Sequence, residues 1–259
     1  MAQRSIQLKG QPIGGGAFPL IITPLVGRTV PELMGELEAI LPKQPDLLEW
    51  RIDFFDGIAD ADRVIETARA IKRAAGAVPI LLTRRNATEG GQPIGVPEAA
   101  VVAMYRRACE AGCVDLIDYE LSNAPDALRE LREVSAAHGV AMIMSYHNFE
   151  LTPDHDMLLG KFAQAQRLGA DVAKVAVMPR DPQDVLTLLG ATYAASQSVH
   201  IPLISMSMGG IGSISRIMGW LYGSAATFAV GKSSSAPGQM AVEELRAALA
   251  TVRRAVTGR

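Results

Sequence analysis

Two hydrophobic patterns alternate along the chain. Short apolar, β-rich runs recur at Leu20–Thr23, Leu47–Ile52, Ile80–Thr83, Val114–Tyr119, Ala141–Ser145, Val172–Val177, Leu203–Met206 and Ala226–Val230. Longer stretches with helical spacing lie between them, at Val30–Leu41, Ala61–Ala75, Glu98–Ala111, Ala124–His138, Asp156–Leu168, Pro182–Ser198 and Val242–Val256. Runs that stay apolar at successive positions predict strands buried on both faces, the mark of a parallel sheet covered by helices. Eight runs give about 32 residues per unit, the size of one strand–helix repeat. The pattern predicts an α/β chain folded as one (β/α)8 TIM barrel domain over residues 1–259. A doubly wound open sheet would carry a Gly-rich turn between its first strand and helix. Gly14-Gly15-Gly16 instead precedes the first strand, and reads as a flexible turn. Ser5–Leu8 and the Lys9–Ile13 stretch predict an N-terminal β-hairpin, in an extension over 1–16, that closes the barrel bottom.

Boundary residues fit this alternation. Ser122-Asn123-Ala124-Pro125-Asp126 and Thr152-Pro153-Asp154 carry a capping residue, a proline and an acid where helices should start. Gly139 and Gly169 stand where helices should end.

Hydrophobic residues make up 49% of the 259 positions, enough for a large core, and charged ones only 20%, which argues against disorder. Twenty-five Lys and Arg against 27 Asp and Glu leave no cationic excess for nucleic acid or a membrane surface. No apolar run approaches the roughly 18 residues of a membrane span. The first residues carry no apolar signal region, so the expected compartment is cytoplasmic. Cys109 and Cys113 share a helix face and read as small buried residues. A zinc site would need more ligands close by.

In a barrel, chemistry sits where strands end and loops to helices begin. Lys174 lies inside the apolar run Val172–Val177, where a buried ammonium is costly unless paired or deprotonated. Desolvation favours the neutral amine, a nucleophile toward carbonyls. With six lysines against 19 arginines in the chain, a lysine at this point carries weight. His147 follows the fifth run and reads equally as a general acid/base or as a locally bonded loop histidine. Glu49, Arg51 and Asp53 alternate onto one face of the second run, which in a covered strand means the barrel interior. Arg85 and Glu89 flank the loop after the third run. Arg85 has the fork to hold a carboxylate, although a solvated loop charge is the simpler reading. Arg216 follows a Gly-rich stretch where backbone amides and a guanidinium could hold an anion. The Ser233–Gln239 loop reads equally as a connection and as a ligand contact.

Taken together, these motifs resemble type I 3-dehydroquinate dehydratase. The resemblance runs from about Leu20 to Leu249 and rests on seven motifs in order. They are Glu-Trp-Arg at 49–51, Arg85 with Glu89-Gly-Gly, Ser-Tyr-His at 145–147, Lys-Val-Ala-Val-Met-Pro at 174–179, Met-Ser-Met-Gly at 206–209, Ser-Arg at 215–216 and Ser-Ala-Pro-Gly-Gln at 235–239. It implies a (β/α)8 fold and a syn elimination of water from 3-dehydroquinate that uses no cofactor and no metal. Lys174 would form a Schiff base, His147 would act as acid and base, and Glu89 would orient His147. Arg216 would grip the substrate carboxylate, with Arg85, Ser235 and Gln239 also binding, and Glu49 and Arg51 would meet the ring hydroxyls and the imine. Pro24 stands where some family members carry a substrate-touching serine, so that hydrogen bond is either missing or replaced, with Thr23 as the candidate replacement. The stretch at 209–212 is more Gly-rich than the charged loop of some relatives. The resemblance also implies a homodimer, for which helix faces rich in Ala and Met could serve.

Two rival readings accompany this one. A class I Schiff-base aldolase would also place a lysine on the sixth strand, but would more naturally show a phosphate site at the last two strands. A non-catalytic sensor of quinate-like ligands would be expected to lose Lys174 or His147, or to carry a DNA-binding segment.

Overall fold

The structure, a computed structural model, describes residues 5–16 and 18–258; positions 1–4 of the expected N-terminal extension lie outside them. Strands β1 (Ser5–Leu8) and β2 (Gln11–Gly14) form the antiparallel hairpin. Eight parallel strands follow: β3 (Leu20–Leu25), β4 (Leu47–Arg51), β5 (Ile80–Thr83), β6 (Leu116–Glu120), β7 (Ala141–Asn148), β8 (Val172–Val177), β9 (Leu203–Ser207) and β10 (Ala226–Val230). They pair in chain order from β3 to β9, and β10 pairs back onto β3. A single bridge, Leu203 with Ser224, joins the β9 and β10 sides, where the Ala225 amide donates to the Leu203 carbonyl at 2.6 Å. A two-residue strand, β11 (Met240–Ala241), extends β10 at the rim.

The helices are α1 (Val30–Ile40), α2 (Ala61–Ala75), α3 (Glu98–Glu110), α4 (Pro125–Ala137), α5 (His155–Arg167), α6 (Pro182–Ser198), α7 (Gly209–Met218) and α8 (Val242–Thr257). Seven of them match the sequence periodicity within one residue at each end. The Gly-rich stretch after β9 is the exception: it is helix α7, with Met208 as an N-cap that makes no side-chain bond. Its three glycines suppress helix propensity, and its burial against β9 overrides them. The cap of α5 is Asp154, the acid of its motif, accepting from the Met157 amide at 2.8 Å, while Thr152, the expected cap, donates to the Met178 carbonyl. Ser122 and Asn123 do not cap α4, whose N-cap is Ala124, followed by Pro125. Both side chains turn toward buried carboxylates instead.

Strand alternation sorts the core. Leu20, Ile22, Leu47, Leu81, Leu116, Ile143, Val172, Ile204 and Phe228 fill the barrel with the hairpin residues Leu8 and Ile13. Intervening residues such as Leu48, Trp50, Leu82, Ile117, Met144 and Val175 pack beneath the helices. Lys9 of the hairpin turn reaches the Val78 carbonyl and Asp115 at the strand starts, so the hairpin does close the bottom. Asp46, Asp115 and Asp171, each just before a strand, accept from amides in the first two residues of the neighbouring strands, at Ile21, Ile80 and Met142. They satisfy backbone groups that the sheet edge would leave unpaired. Apolar residues thus occupy the lower barrel, and polar ones are left for the upper rim.

Candidate active site

At the C-terminal end of the strands an open cavity is lined by Glu49, Arg51, Arg85, His147, Lys174, Ser235 and Gln239. Phe149, Met206, Met208 and Phe228 supply its apolar walls. Seven of the nine residues expected to form a site therefore meet in one place. Glu89 and Arg216 stand behind this lining and touch it through His147 and Met206.

Lys174 points inward from the middle of β8 and is 4% exposed. Its Nζ donates to Oδ2 of Asp118 at 2.8 Å, lies 3.7 Å from Oε1 of Glu49, and sits 4.7 Å from the centre of the Phe228 ring. Of the two alternatives that the sequence left open, pairing is the one observed: the ammonium has a buried counter-ion on β6. Asp118 also accepts from the Ser145 hydroxyl at 2.6 Å and contacts the Arg85 guanidinium at 2.9 Å. Burial alone would raise this carboxyl, yet Arg85 and Lys174 hold it well below the usual range.

His147 lies within β7 rather than beyond it. Oε2 of Glu89 accepts from its backbone nitrogen at 2.8 Å and lies 3.1 Å from ring Nδ1, while Ser122 donates to the other oxygen of Glu89 at 2.6 Å. With Nδ1–H turned to the carboxylate, Nε2 is left as the working atom. Burial, and then the positive Arg85 and Lys174, depress the imidazole well below its ordinary value, so the ring is neutral at pH 7. Burial pushes Glu89 the other way, upward. The two glycines after Glu89 have a steric reason. A Cβ at Gly90 would meet the Phe149 ring at 2.3 Å, and one at Gly91 the Arg85 carbonyl oxygen at 1.9 Å. Larger residues would displace the turn that aims Glu89 at His147.

The arginines divide by partner. Arg51 is held in a two-point fork by Asp53 at 2.8 and 2.7 Å, and reaches the Ser235 carbonyl at 3.4 Å. Strand alternation stops at Arg51, since Asp53 belongs to a 3-10 turn. Arg85 donates to Glu120 and to the Ser145 hydroxyl, each at 2.9 Å. Arg84 turns outward to Glu98, which supports the choice of Arg85. Arg216 projects from α7, not from a loop, and is 2% exposed. Its donors find only the Pro237 carbonyl at 3.0 Å and the Met206 sulfur at 3.6 Å. Among the described residues it is the one buried arginine without a carboxylate, and burial lowers it to about 10. Thr23 does not replace the absent serine. It lies on the outward face of β3 with Ile21 and Leu25, its methyl in line with Gly231 and Ile40.

The sequence reading missed Asp118, Glu120 and Ser122. Asp118 and Glu120 carried the same signal that singled out 49 and 51, ionisable groups alternating within a buried strand. Cys109 and Cys113 are buried and unlinked, and burial pushes the Cys109 thiol up to about 12. Among the described residues no group of three or more His, Cys, Asp or Glu is arranged to hold a metal ion.

Fold and site together define a (β/α)8 barrel with a buried lysine, a carboxylate-held histidine and an uncompensated arginine converging at the end of the strands where barrel enzymes hold their chemistry. A family model for type I 3-dehydroquinase matches residues 21–255, and the chain belongs to that family. It is 51% identical to the 3-dehydroquinate dehydratase of Albidiferax ferrireducens over 98% of this chain and 97% of that one. The crystal structure of the Geobacillus kaustophilus 3-dehydroquinate dehydratase superposes with a TM-score of 0.95 at 45% identity, covering 97% of each chain. The type I enzyme of Clostridium difficile, solved with covalently modified comenic acid, gives 0.94 at 33% identity, covering 98% of this chain and 99% of that one.

Proposed function

We propose that this chain removes water from 3-dehydroquinate to give 3-dehydroshikimate, a step of the shikimate pathway, through an imine on Lys174. The observation that carries the reading is one cavity shared by the Lys174 ammonium and the Glu89-held imidazole of His147. The named relatives supply the substrate, and the covalently modified comenic acid of the Clostridium enzyme fits a site that bonds to its ligand. The same kinship weighs against the aldolase and sensor readings.

The steps follow from the groups present. Nζ of Lys174 condenses with the C3 ketone, releasing the carbonyl oxygen as water and leaving an iminium. Neutral His147 takes a proton from C2, and the C–H electron pair moves toward the iminium nitrogen as an enamine. The enamine then expels the C1 hydroxyl, which takes the proton from His147 and leaves as water. Hydrolysis of the conjugated imine frees product and Lys174. One base that becomes the acid suffices, and such help is worth about 10²–10⁴-fold. Glu89 steadies the imidazolium that forms between the two steps. Arg216, buried without an anion, receives the substrate carboxylate. Ser235 and Gln239, bonded to each other at 3.1 Å, close the binding side with Arg85, and Glu49 and Arg51 meet the ring hydroxyls and the imine region.

The imine polarises the carbonyl, so chelators should leave activity unchanged. We place the enzyme in the cytoplasm as a homodimer. Between Val185 and Gly231 the only Lys, Arg, Asp or Glu is buried Arg216, while Leu186, Tyr193, Ile211 and Ile214 are exposed on α6 and α7. A second copy would meet this face without charge repulsion, and sedimentation reads the outcome. Activity itself is tested by adding 3-dehydroquinate and following the ultraviolet absorbance of the conjugated enone. Wild-type protein should produce it and Lys174→Ala should not. Absence of turnover by the wild type would overturn the reading.

A further inference from the structure

We infer that Asp118 is a catalytic counter-ion, whose carboxylate keeps the imine nitrogen protonated while the substrate is deprotonated at C2. The inference rests on the imine chemistry proposed above. It starts from contact: Oδ2 of Asp118 is 2.8 Å from Nζ, the atom that becomes the imine nitrogen. The carboxylate has no exposure and little freedom, since the Ser145 hydroxyl binds Oδ1 at 2.6 Å and Arg85 contacts Oδ2 at 2.9 Å.

Charge balance shows what this contact does. An ammonium and a ketone give an iminium and water, so Nζ carries one positive charge and at least one N–H before and after condensation. A carboxylate that pairs with the ammonium therefore pairs with the iminium without rearranging. That matters because a neutral imine is a much weaker electron sink, and a buried cation without a counter-ion sheds its proton. The other titratable groups facing Nζ and Asp118 are Glu49 and Arg51 from β4, Arg85 after β5, Glu120 from β6 and neutral His147 from β7. From β9 and β10 the neighbours are uncharged Ile204 and Phe228. Glu49 is the second anion, but it is farther from Nζ, at 3.7 Å, and accepts from Thr83 at 3.0 Å. Glu120 is engaged by Arg85, the Asn86 amide and Asn123. Arg85 and Lys174 hold Asp118 well below the usual carboxylate range despite its burial, so it stays ionised at working pH.

The test compares Asp118→Asn with wild type in borohydride trapping with 3-dehydroquinate and in the pH profile of kcat, after circular dichroism has shown that the variant folds. An opposite charge at this distance moves a partner by about 1–3 pKa units, so the alkaline limb of kcat should shift down by about that much in the variant. No adduct in wild type would remove the imine reading itself. An adduct in wild type with an unshifted alkaline limb in the variant, or a change confined to KM, would overturn the role of Asp118. If Asp118→Asn does not fold, wild type carrying lysine labelled with ¹⁵N at Nζ answers instead. The enzyme–3-dehydroquinate complex should show a protonated iminium nitrogen at about pH 8, one to two units above the usual histidine range. A neutral imine there would overturn the inference.

Discussion

Oε2 of Glu89 meets His147 twice, accepting from its backbone nitrogen at 2.8 Å and lying 3.1 Å from ring Nδ1. One oxygen therefore fixes both the place of the residue and the tautomer of its ring. Glu89→Gln keeps the shape and removes the charge that stabilises an imidazolium. We expect kcat to fall by at least about tenfold, because Glu89 acts through His147 and carries only part of an acid–base assistance worth about 10²–10⁴-fold. Losing a negative neighbour also lowers the histidine further, so the acid limb of the pH–rate profile should move to lower pH. An unchanged profile would mean that Glu89 serves only the backbone contact.

Ser122 donates to Glu89 at 2.6 Å and does not cap α4. Ser122→Ala should lower kcat several-fold while leaving the helix intact. Stability should fall by about 1.5–3 kcal/mol, the worth of a hydrogen bond to a charged group, because a buried carboxylate oxygen loses its donor. Normal kcat beside that loss would show that the bond is structural and does not steer His147. Thermal melts and steady-state kinetics separate the two.

Arg216 is a buried cation with no carboxylate in the free enzyme. Removing an uncompensated buried charge should not destabilise the fold, and stability given up for function is common at binding sites. Arg216→Met should keep or raise Tm. A hydrogen bond to a charged group is worth about 1.5–3 kcal/mol, so KM should rise by about 10–100-fold. A lower Tm with unchanged KM would show that the substrate carboxylate binds elsewhere.

His147 is held below its ordinary 6.5 by burial and positive neighbours, so between those limits the unfolded chain binds more protons than the folded one. Stability from this group is present above pH 6.5 and is lost as pH falls through that window. Glu89, raised from 4.5, works in the opposite sense just above that value, so the effect of His147 is read nearest 6.5. His147→Gln should flatten the decline in Tm on that side. An equal decline in both proteins would place its source elsewhere.

Most of the barrel could be read from hydrophobic period alone, because both-face burial leaves strands such as Val172–Val177 apolar at nearly every position. Lys174 stood out for the same reason. Helix α7 was hidden because Gly209, Gly210 and Gly212 look like loop residues, and only packing against β9 makes them helical. Asp118 was present in a legible pattern, yet its pairing with Lys174 joins residues 56 positions apart, and sequence spacing does not measure that distance. Thr23 went wrong by one step of strand alternation, which turns a side chain from the cavity to the helix layer. Ser122 had two competing uses, a cap and a bond to Glu89, and local sequence favoured the one the fold does not use.

The central claim is a covalent bond at Lys174. Protein incubated with 3-dehydroquinate, reduced with borohydride and digested should give one modified peptide by mass spectrometry, the one containing Lys174. Its mass should be raised by the reduced ligand, and Lys174→Ala should give no adduct. Turnover without an adduct, or an adduct on a different lysine, would contradict the account.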